Sequence, residues 1–325
     1  MTPRPITIII PNFNGAHLLR RNLPSVMEAA ARYPGEADIL VVDDGSSDGS
    51  VGVLGKEFPT IDVVAHATNR GFADAIHTGV EHASTELLFL LNSDVELHTG
   101  CLDRLEPYFA DADVFSVCPL MLREDGSVNR HSWNLRVFRR GCLKLFDWDL
   151  DQARASREAN KLPTLYASGG GMLVSKRKFL ELNGFDPIFK PYYGEDFDLG
   201  IRAWYRGWSS YFEPSAVLTH QSQGSIKDSA KRSKVKTVRR RNKYFIEWIH
   251  VPGARLLLTT LPITLMQLVF ELLRFDVVNL TGFKDAVKLL SAVLAARRTS
   301  RKGQVLTLGM VLARIQGSYR QPGRR

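Results

Sequence analysis

The sequence predicts an α/β protein with a mostly parallel central sheet flanked by helices, followed by a basic helical extension. Three observations predict it. Short apolar runs alternate with helically spaced segments through the first hundred residues, polar residues fall directly after those runs, and charge divides sharply between front and back. Strand and helix alternating over short connections imply a parallel sheet covered on both faces. Ligands of such sheets sit beyond the carboxyl ends of the strands.

The elements follow in order. Ile6–Ile10 is a β-branched run, and Ala16–Arg32 shows apolar residues at helical spacing. Asp38–Val42 is a second strand, closed by the turn-rich Asp43–Ser50. Ile61–Ala65, the helix Phe72–Ala83 and the strand Leu87–Leu91 come next. Asn12 and Asn14, then Asp43 and Asp44, then Asn92 and Asp94 stand at three successive strand ends. Residues 123–163 are irregular and charged, without a recognisable pattern. Order returns with Thr164–Val174, the turn Gly184–Pro187, a helix opening at Tyr192–Leu199 and running through Arg206, and closing strands Trp208–Glu213 and Ala216–Thr219.

The 325 residues are 44% hydrophobic and 24% charged, a balance that buries a core and excludes disorder. Cys101, Cys118 and Cys142 have no paired spacing and read as free thiols of a reducing compartment. Ile6–Ile10 is too short for the apolar stretch of a signal peptide, so none is expected. The longest uncharged apolar run, Leu256–Phe270, is 15 residues and contains Pro262, short of the ~20 that span a bilayer.

The net charge of +9 conceals a split. From Lys227 onward 21 Lys and Arg face 5 Asp and Glu, a charge of +16, and the preceding residues carry −7. A boundary at 226/227 is expected, with a basic extension facing a polyanion. Polar Thr260, Thr264, Gln267, Glu271 and Arg274 form one narrow stripe on an apolar helix, repeated by Lys284, Lys288, Ser291, Ala295 and Arg298. Such helices either pack on the core or lie in a membrane interface.

Several chemistries lack their motif. Pro11–Gly15 stands where a dinucleotide-binding Gly-x-Gly-x-x-Gly would follow the first strand, and neither a P-loop nor a Gly-x-Ser-x-Gly elbow occurs. Acids at strand ends are present instead. Asp43 and Asp44 suit a base imide or ribose hydroxyls, whereas Ser46, Ser47 and Asp48 suit an acidic turn capping the next helix. Asn92-Ser93-Asp94, after five apolar residues, places one carboxylate where Mg²⁺ or Mn²⁺ would meet a diphosphate, or else is an ordinary turn. Glu195, Asp196 and Asp198 crowd three carboxylates into four positions. Helix N-terminal stabilisation accounts for one or two of them, and the remainder suggests a general base for an incoming hydroxyl. His220 after an apolar strand suits a metal ligand, a phosphate contact or a structural role.

Together these segments resemble a known family. Ile9–Gly15, Val41–Ser50, Asn69–Ala73 and Leu90–Asp94 are similar to the nucleotide-sugar half of family-2 glycosyltransferases with the GT-A fold. Gly169–Val174, Gly184–Asp186, Gly194–Leu199 and Thr219–Gln221 resemble its acceptor half, in order. The similarity covers about residues 5–225, divided near 122/123, and is nearest to rhamnosyl- and galactofuranosyltransferases of bacterial cell-envelope assembly.

The resemblance implies a nucleoside-diphosphate-sugar donor and a divalent metal. Pro11, Asn12, Asp43, Asp44, Asn69, Gly71, Asn92 and Ser93 would line the nucleotide, Asp94 and His220 would hold the metal, and Asp196 would be the catalytic base. Gly170, Gly171, Glu195 and Asp198 would meet the acceptor. Asn92 departs from the fuller motif, which carries Asp there, and one fewer charge weakens the divalent site. The implied reaction is inverting transfer to a glycan or lipid-linked glycan. The basic extension would meet an anionic membrane on its cytoplasmic face rather than nucleic acid, since no nucleic-acid module is recognisable. The alternatives are a nucleotidyltransferase that forms nucleotide sugars, whose triphosphate loop is not found in Pro11–Gly15, and an inactive membrane-bound scaffold of the same fold.

Overall fold

The computed structural model describes residues 2–139, 141–221 and 232–319. Of the sequence expectations, the 226/227 boundary and basic residues Lys227 and Lys231 lie outside the described residues.

The first half alternates as its patterning requires. Strands β1 (Ile6–Asn12), β2 (Ala37–Asp43), β3 (Asp62–Ala65) and β4 (Leu87–Leu91) are joined by helices α1 (Ala16–Arg32), α2 (Ser50–Glu57) and α3 (Phe72–His82). Then follow β5 (Val95–Leu97), α4 (Cys101–Leu105), β6 (Val114–Arg123), β7 (Arg136–Arg139), β8 (Cys142–Leu145), α5 (Leu150–Ala159), β9 (Leu162–Pro163), β10 (Gly171–Ser175), α6 (Lys176–Glu181), α7 (Glu195–Tyr205) and β11 (Ser209–His220). The main sheet runs β3-β2-β1-β4-β10-β6-β11-β5, with β9 beside β11.

The sheet is mixed, with antiparallel strands set among longer parallel ladders. Pairing is parallel from β3 through β2 and β1 to β4, and again between β6 and β11. β10 runs antiparallel between β4 and β6, and β5 antiparallel to β11. The chain re-enters from the opposite end after residues 124–170, which a periodicity reading could not trace. The two expected closing strands are one strand, β11, with a register shift between Glu213 and Val217.

Successive residues of a strand point to opposite faces, so each strand feeds two cores. Ile8 and Ile10 join Leu19, Leu23, Val26, Leu54 and Leu102 under α1, α2 and α4. Ile9 joins Val42, Ile76, Val80, Leu88 and Leu90 under α3. The three cysteines are free and buried. Residues 123–163 are ordered by a β7–β8 hairpin, by buried Trp133 and Trp148, and by α5, whose N-cap Asp149 accepts from Gln152 N–H at 3.0 Å.

The extension comprises α8 (Arg232–His250), α9 (Gly253–Leu273), α10 (Val277–Lys288), α11 (Leu290–Ser300) and α12 (Leu308–Gly317). Much of it belongs to the core under α3: Phe245, Ile249, Val293, Val311 and Ile315 are fully buried there. Beyond α12, the Tyr319 ring meets Trp133 edge-on at 5.0 Å. The 15-residue apolar run lies within a longer helix than expected. α9 has 21 residues, enough by length and composition to cross a membrane. Its polarity is inverted: Thr260 and Thr264 are buried against the protein, while Leu258 is 78% exposed, Leu273 73% and the following Phe275 86%.

Candidate active site

The strand ends named from sequence converge at one end of the sheet. β1 delivers Pro11 and Asn12, β2 delivers Asp43, and β4 leads into Asn92-Ser93-Asp94. Asn12 Nδ2 donates to Asp43 Oδ2 at 2.9 Å, and Ser46 donates to the same carboxylate through its N–H and its hydroxyl. Asp44 accepts from Arg70 N–H at 2.9 Å and Gly71 N–H at 2.7 Å, and lies 2.7 Å from His66 Nδ1. Both acids are almost wholly buried. Their visible work is to fold the 44–50 and 66–71 loops around this end of the sheet. Asn69, expected beside the nucleotide, is exposed on the second loop, and Gly71 is held by Asp44.

Asp94 and His220 lie together, with His220 Nε2 3.5 Å from Asp94 Oδ1. They come together because β5 pairs antiparallel with the end of β11, setting His220 opposite Val95. Gln221 N–H donates to Asp94 C=O, and the Gln221 amide bonds Asn22 of α1, which in turn donates to Ser93 C=O. The loop is thus fixed from both sides. Among the described residues no group of three or more His, Cys, Asp or Glu could hold a metal ion. Two protein ligands suit a small divalent ion that keeps water and phosphate oxygens as its other ligands.

Asp196 sits in the first turn of α7, reached through Tyr193 and Gly194, both at positive φ (73° and 99°). Its Oδ2 accepts from Gly169 N–H at 3.1 Å and its Oδ1 from Phe197 N–H at 2.8 Å. Burial raises the Asp196 carboxyl above its ordinary value, opposed by those two N–H groups and by the Arg136 guanidinium. Glu195 beside it is pushed up to about 8 by burial and by the charge of Asp196. The glycine run bridges the two acid centres. A methyl group on Gly169 would lie 3.8 Å from Asp196 Cβ, and one on Gly170 would lie 3.6 Å from the His220 ring and 3.7 Å from the Asn92 amide.

Two of the expected acceptor residues face elsewhere. Asp198 is 1% exposed, with Arg202 Nε at 2.6 Å and His250 Nε2 of α8 at 2.9 Å. It ties α7 to α8 because helical spacing turns position 198 away from position 196 and into the core. Gly171 is buried, and a side chain there would strike Leu218 at 2.4 Å, so its smallness serves strand packing. Gly170 and Glu195 remain at the site.

A family model for "Glycosyl transferase family 2" matches residues 7–182. The chain belongs to that family. Among its relatives, the N-acetylglucosaminyl-diphospho-decaprenol L-rhamnosyltransferase of Mycobacterium tuberculosis is 26% identical over 237 residues, covering 66% of this chain and 76% of the relative. A pre-mycofactocin glycosyltransferase of the same organism is 30% identical over 233 residues, covering 69% of this chain and 44% of the relative. Two solved structures share the fold. A mannosyltransferase from Pyrobaculum calidifontis, in complex with GDP-Man and Mn²⁺, aligns with TM-score 0.55 at 17% identity over 97% of this chain and 87% of its own. GalNAc-T7 with UDP, GalNAc and Mn²⁺ aligns with TM-score 0.58 at 16% identity, covering 77% of this chain and 49% of its own. The glycosyltransferase sheet is therefore of the GT-A kind.

Sequence reasoning missed three contributors to this family-2 site. Gly169, not its neighbours, holds the Asp196 carboxylate. Asn242 of α8, 2% exposed, donates to the carbonyls of Phe189, Tyr192 and Tyr193 and so fixes the loop leading to Asp196. Arg136 spreads over the Phe197 ring at 5.1 Å. Only Gly169 carried a signal, the run of three glycines.

Proposed function

We propose that the protein is an inverting, metal-dependent glycosyltransferase that moves a sugar from a nucleoside diphosphate to a hydroxyl of a glycan or lipid-linked glycan in cell-envelope polysaccharide synthesis. One observation carries the reading: a half-buried carboxylate, Asp196, is held by the N–H groups of Gly169 and Phe197, and the next glycine, Gly170, lies against the ring of His220, the partner of Asp94. A base for the acceptor and a place for the donor diphosphate thus lie side by side. Each Asp196 oxygen takes one N–H and keeps a lone pair for an incoming hydroxyl. The hydroxyl oxygen attacks the anomeric carbon as its proton passes to Asp196, and the bond to the diphosphate breaks in the same displacement. Asp94 and His220 would hold the divalent ion, which when bound offsets the charge growing on the leaving group. The GDP-Man and Mn²⁺ of one fold relative, and the UDP, GalNAc and Mn²⁺ of the other, support a nucleotide-sugar donor and a divalent metal.

The decaprenol-linked acceptor named for the mycobacterial rhamnosyltransferase, together with the inverted polarity of α9, supports peripheral attachment to the cytoplasmic face of the membrane. Thr264 and Leu268 pack α9 along the protein body, which favours an in-plane helix over a spanning one.

Two substitutions test the site. Asp196→Asn should lower kcat by about 10²–10⁴-fold, the range of a lost general base, with metal-supported nucleotide binding near normal. Asp94→Ala should abolish the metal dependence of nucleoside-diphosphate binding in calorimetry. Substantial turnover in the first variant or unchanged metal dependence in the second would remove the assigned role.

A further inference from the structure

Beside the two residues that flank Asp196 in the loop and helix, Tyr193 and Phe197, stand two guanidinium groups without an ion-pair partner among the described residues. Arg136 of β7 lies over Phe197, the residue after the base. Its Nη2 donates to Tyr166 Oη at 3.0 Å and to Asn134 Oδ1 at 3.3 Å. Tyr166 and Phe197 stack at 4.6 Å and form a floor beneath the guanidinium. Arg136 Nε is buried without a hydrogen-bond partner. Arg239 of α8 stands with its guanidinium 4.1 Å above the Tyr193 ring, three residues before the base. Neither arginine has a carboxylate within ion-pairing distance among the described residues. Burial, and then the charges of Arg136, Arg239 and Arg123, hold His131 below its ordinary value.

Holding an unpaired guanidinium partly out of water is unfavourable, and breaking a buried pair costs several kcal/mol for the same reason. A planar fork fixed on an aromatic floor with one N–H edge unused is the geometry that takes a phosphate oxygen pair. The location tells which phosphate. The donor diphosphate belongs with Asp94 and His220, which meet the glycine run at Gly170, whereas Arg136 and Arg239 stand on Phe197 and Tyr193. We propose that Arg136 and Arg239 bind the anionic linker of the acceptor, a diphosphate joining the acceptor sugar to its lipid, so that the attacking hydroxyl is presented to Asp196 one sugar away. This rests on the transferase reading for Asp196, and it adds the acceptor's chemical class.

The test separates the two. With metal chelated by EDTA, calorimetry on the full chain measures inorganic pyrophosphate and then farnesyl diphosphate in detergent. Arg136→Met and the exposed-site variant Arg239→Gln should each weaken both by about tenfold, the scale of one charge-assisted hydrogen bond. Asp94→Ala should leave them unchanged. Arg136→Lys should recover part of the loss, and the folded state of each arginine variant is checked by its Mn²⁺-dependent nucleotide binding. In turnover, KM for a prenyl-diphosphate-linked sugar should rise about tenfold while KM for an uncharged alkyl glycoside stays fixed. Equal losses with both acceptors would reduce Arg136 to a brace for the aromatic floor and overturn the proposal. So would unchanged pyrophosphate binding, or a loss seen only on phosphatidylglycerol vesicles, which would make the arginines membrane contacts. Failure of wild-type protein to bind any nucleoside diphosphate with Mn²⁺ would instead strike the transferase reading, a separate measurement.

Discussion

Glu195 and Asp196 share the first turn of α7, and both carboxyls are raised by burial. The helix N-terminus favours their charged forms, but two adjacent acids away from water cannot both ionise easily. They titrate as a pair whose upper step lies at about 8. The proton taken up at that step is assigned to Glu195, and the proposed base must itself be ionised to act, so activity should be lost as pH falls through the lower, Asp196 step, which burial also raises above the ordinary carboxylate range. Glu195→Gln should remove the upper step and leave one ionisation at lower pH. The pH profile of kcat/KM in the two proteins checks this, and a wild-type acid limb confined to the ordinary carboxylate range would refute it.

The helix α7 owes its position to a charge network rather than to its apolar face alone. Burial by itself would raise Asp198, but Arg202 and His250 take it below its ordinary value. A depressed carboxyl stabilises the fold at pH above its unfolded value, and the contribution is lost as pH falls through the folded value. Asp198→Asn leaves Arg202 and His250 without their anion and should cost about 3–5 kcal/mol, read as a lower urea midpoint. The sequence shows why this was illegible. Positions 195, 196 and 198 look alike as acids, and only the helical turn, with a histidine 52 residues on, separates the proposed base from an anchor. By contrast, β1, α1, β2 and β4 were legible to within two residues, because period-2 and period-3.6 patterns report burial directly. The mixed sheet was not, since the direction in which β10 enters depends on contacts made by residues 124–170, whose pattern is irregular.

For the molecule as a whole, the extension presents a surface opposite in character to the one it buries. Leu258, Leu265, Met266, Phe270, Leu273 and Phe275 are each more than half exposed, and Arg274 stands among them. Charge attraction is screened beyond ~8 Å at physiological salt, whereas burial of apolar area is not. High salt should therefore release the protein from anionic vesicles only in part. A triple variant, Leu265→Gln, Phe270→Gln and Leu273→Gln, should bind them at least tenfold more weakly while nucleotide binding persists. Co-sedimentation with vesicles of phosphatidylglycerol and of phosphatidylcholine measures both effects, and undiminished binding by the triple variant would assign the face to another partner.

The three carbonyls that Asn242 closes bear on how such a chain can be inherited. A membrane-seeking tail is usually imagined as a portable attachment, free to pass between enzymes that need the same address. Here one amide of α8 completes the loop that leads to the proposed base, Asp196, and one imidazole at the end of the same helix completes the Asp198 anchor beneath it. A tail exchanged from another protein would have to restore both at the same depth in the core. The glycosyltransferase sheet and the extension are therefore joined through the core, and the proposed membrane attachment could be altered only on the outward face of α9 while its inward face stays as it is.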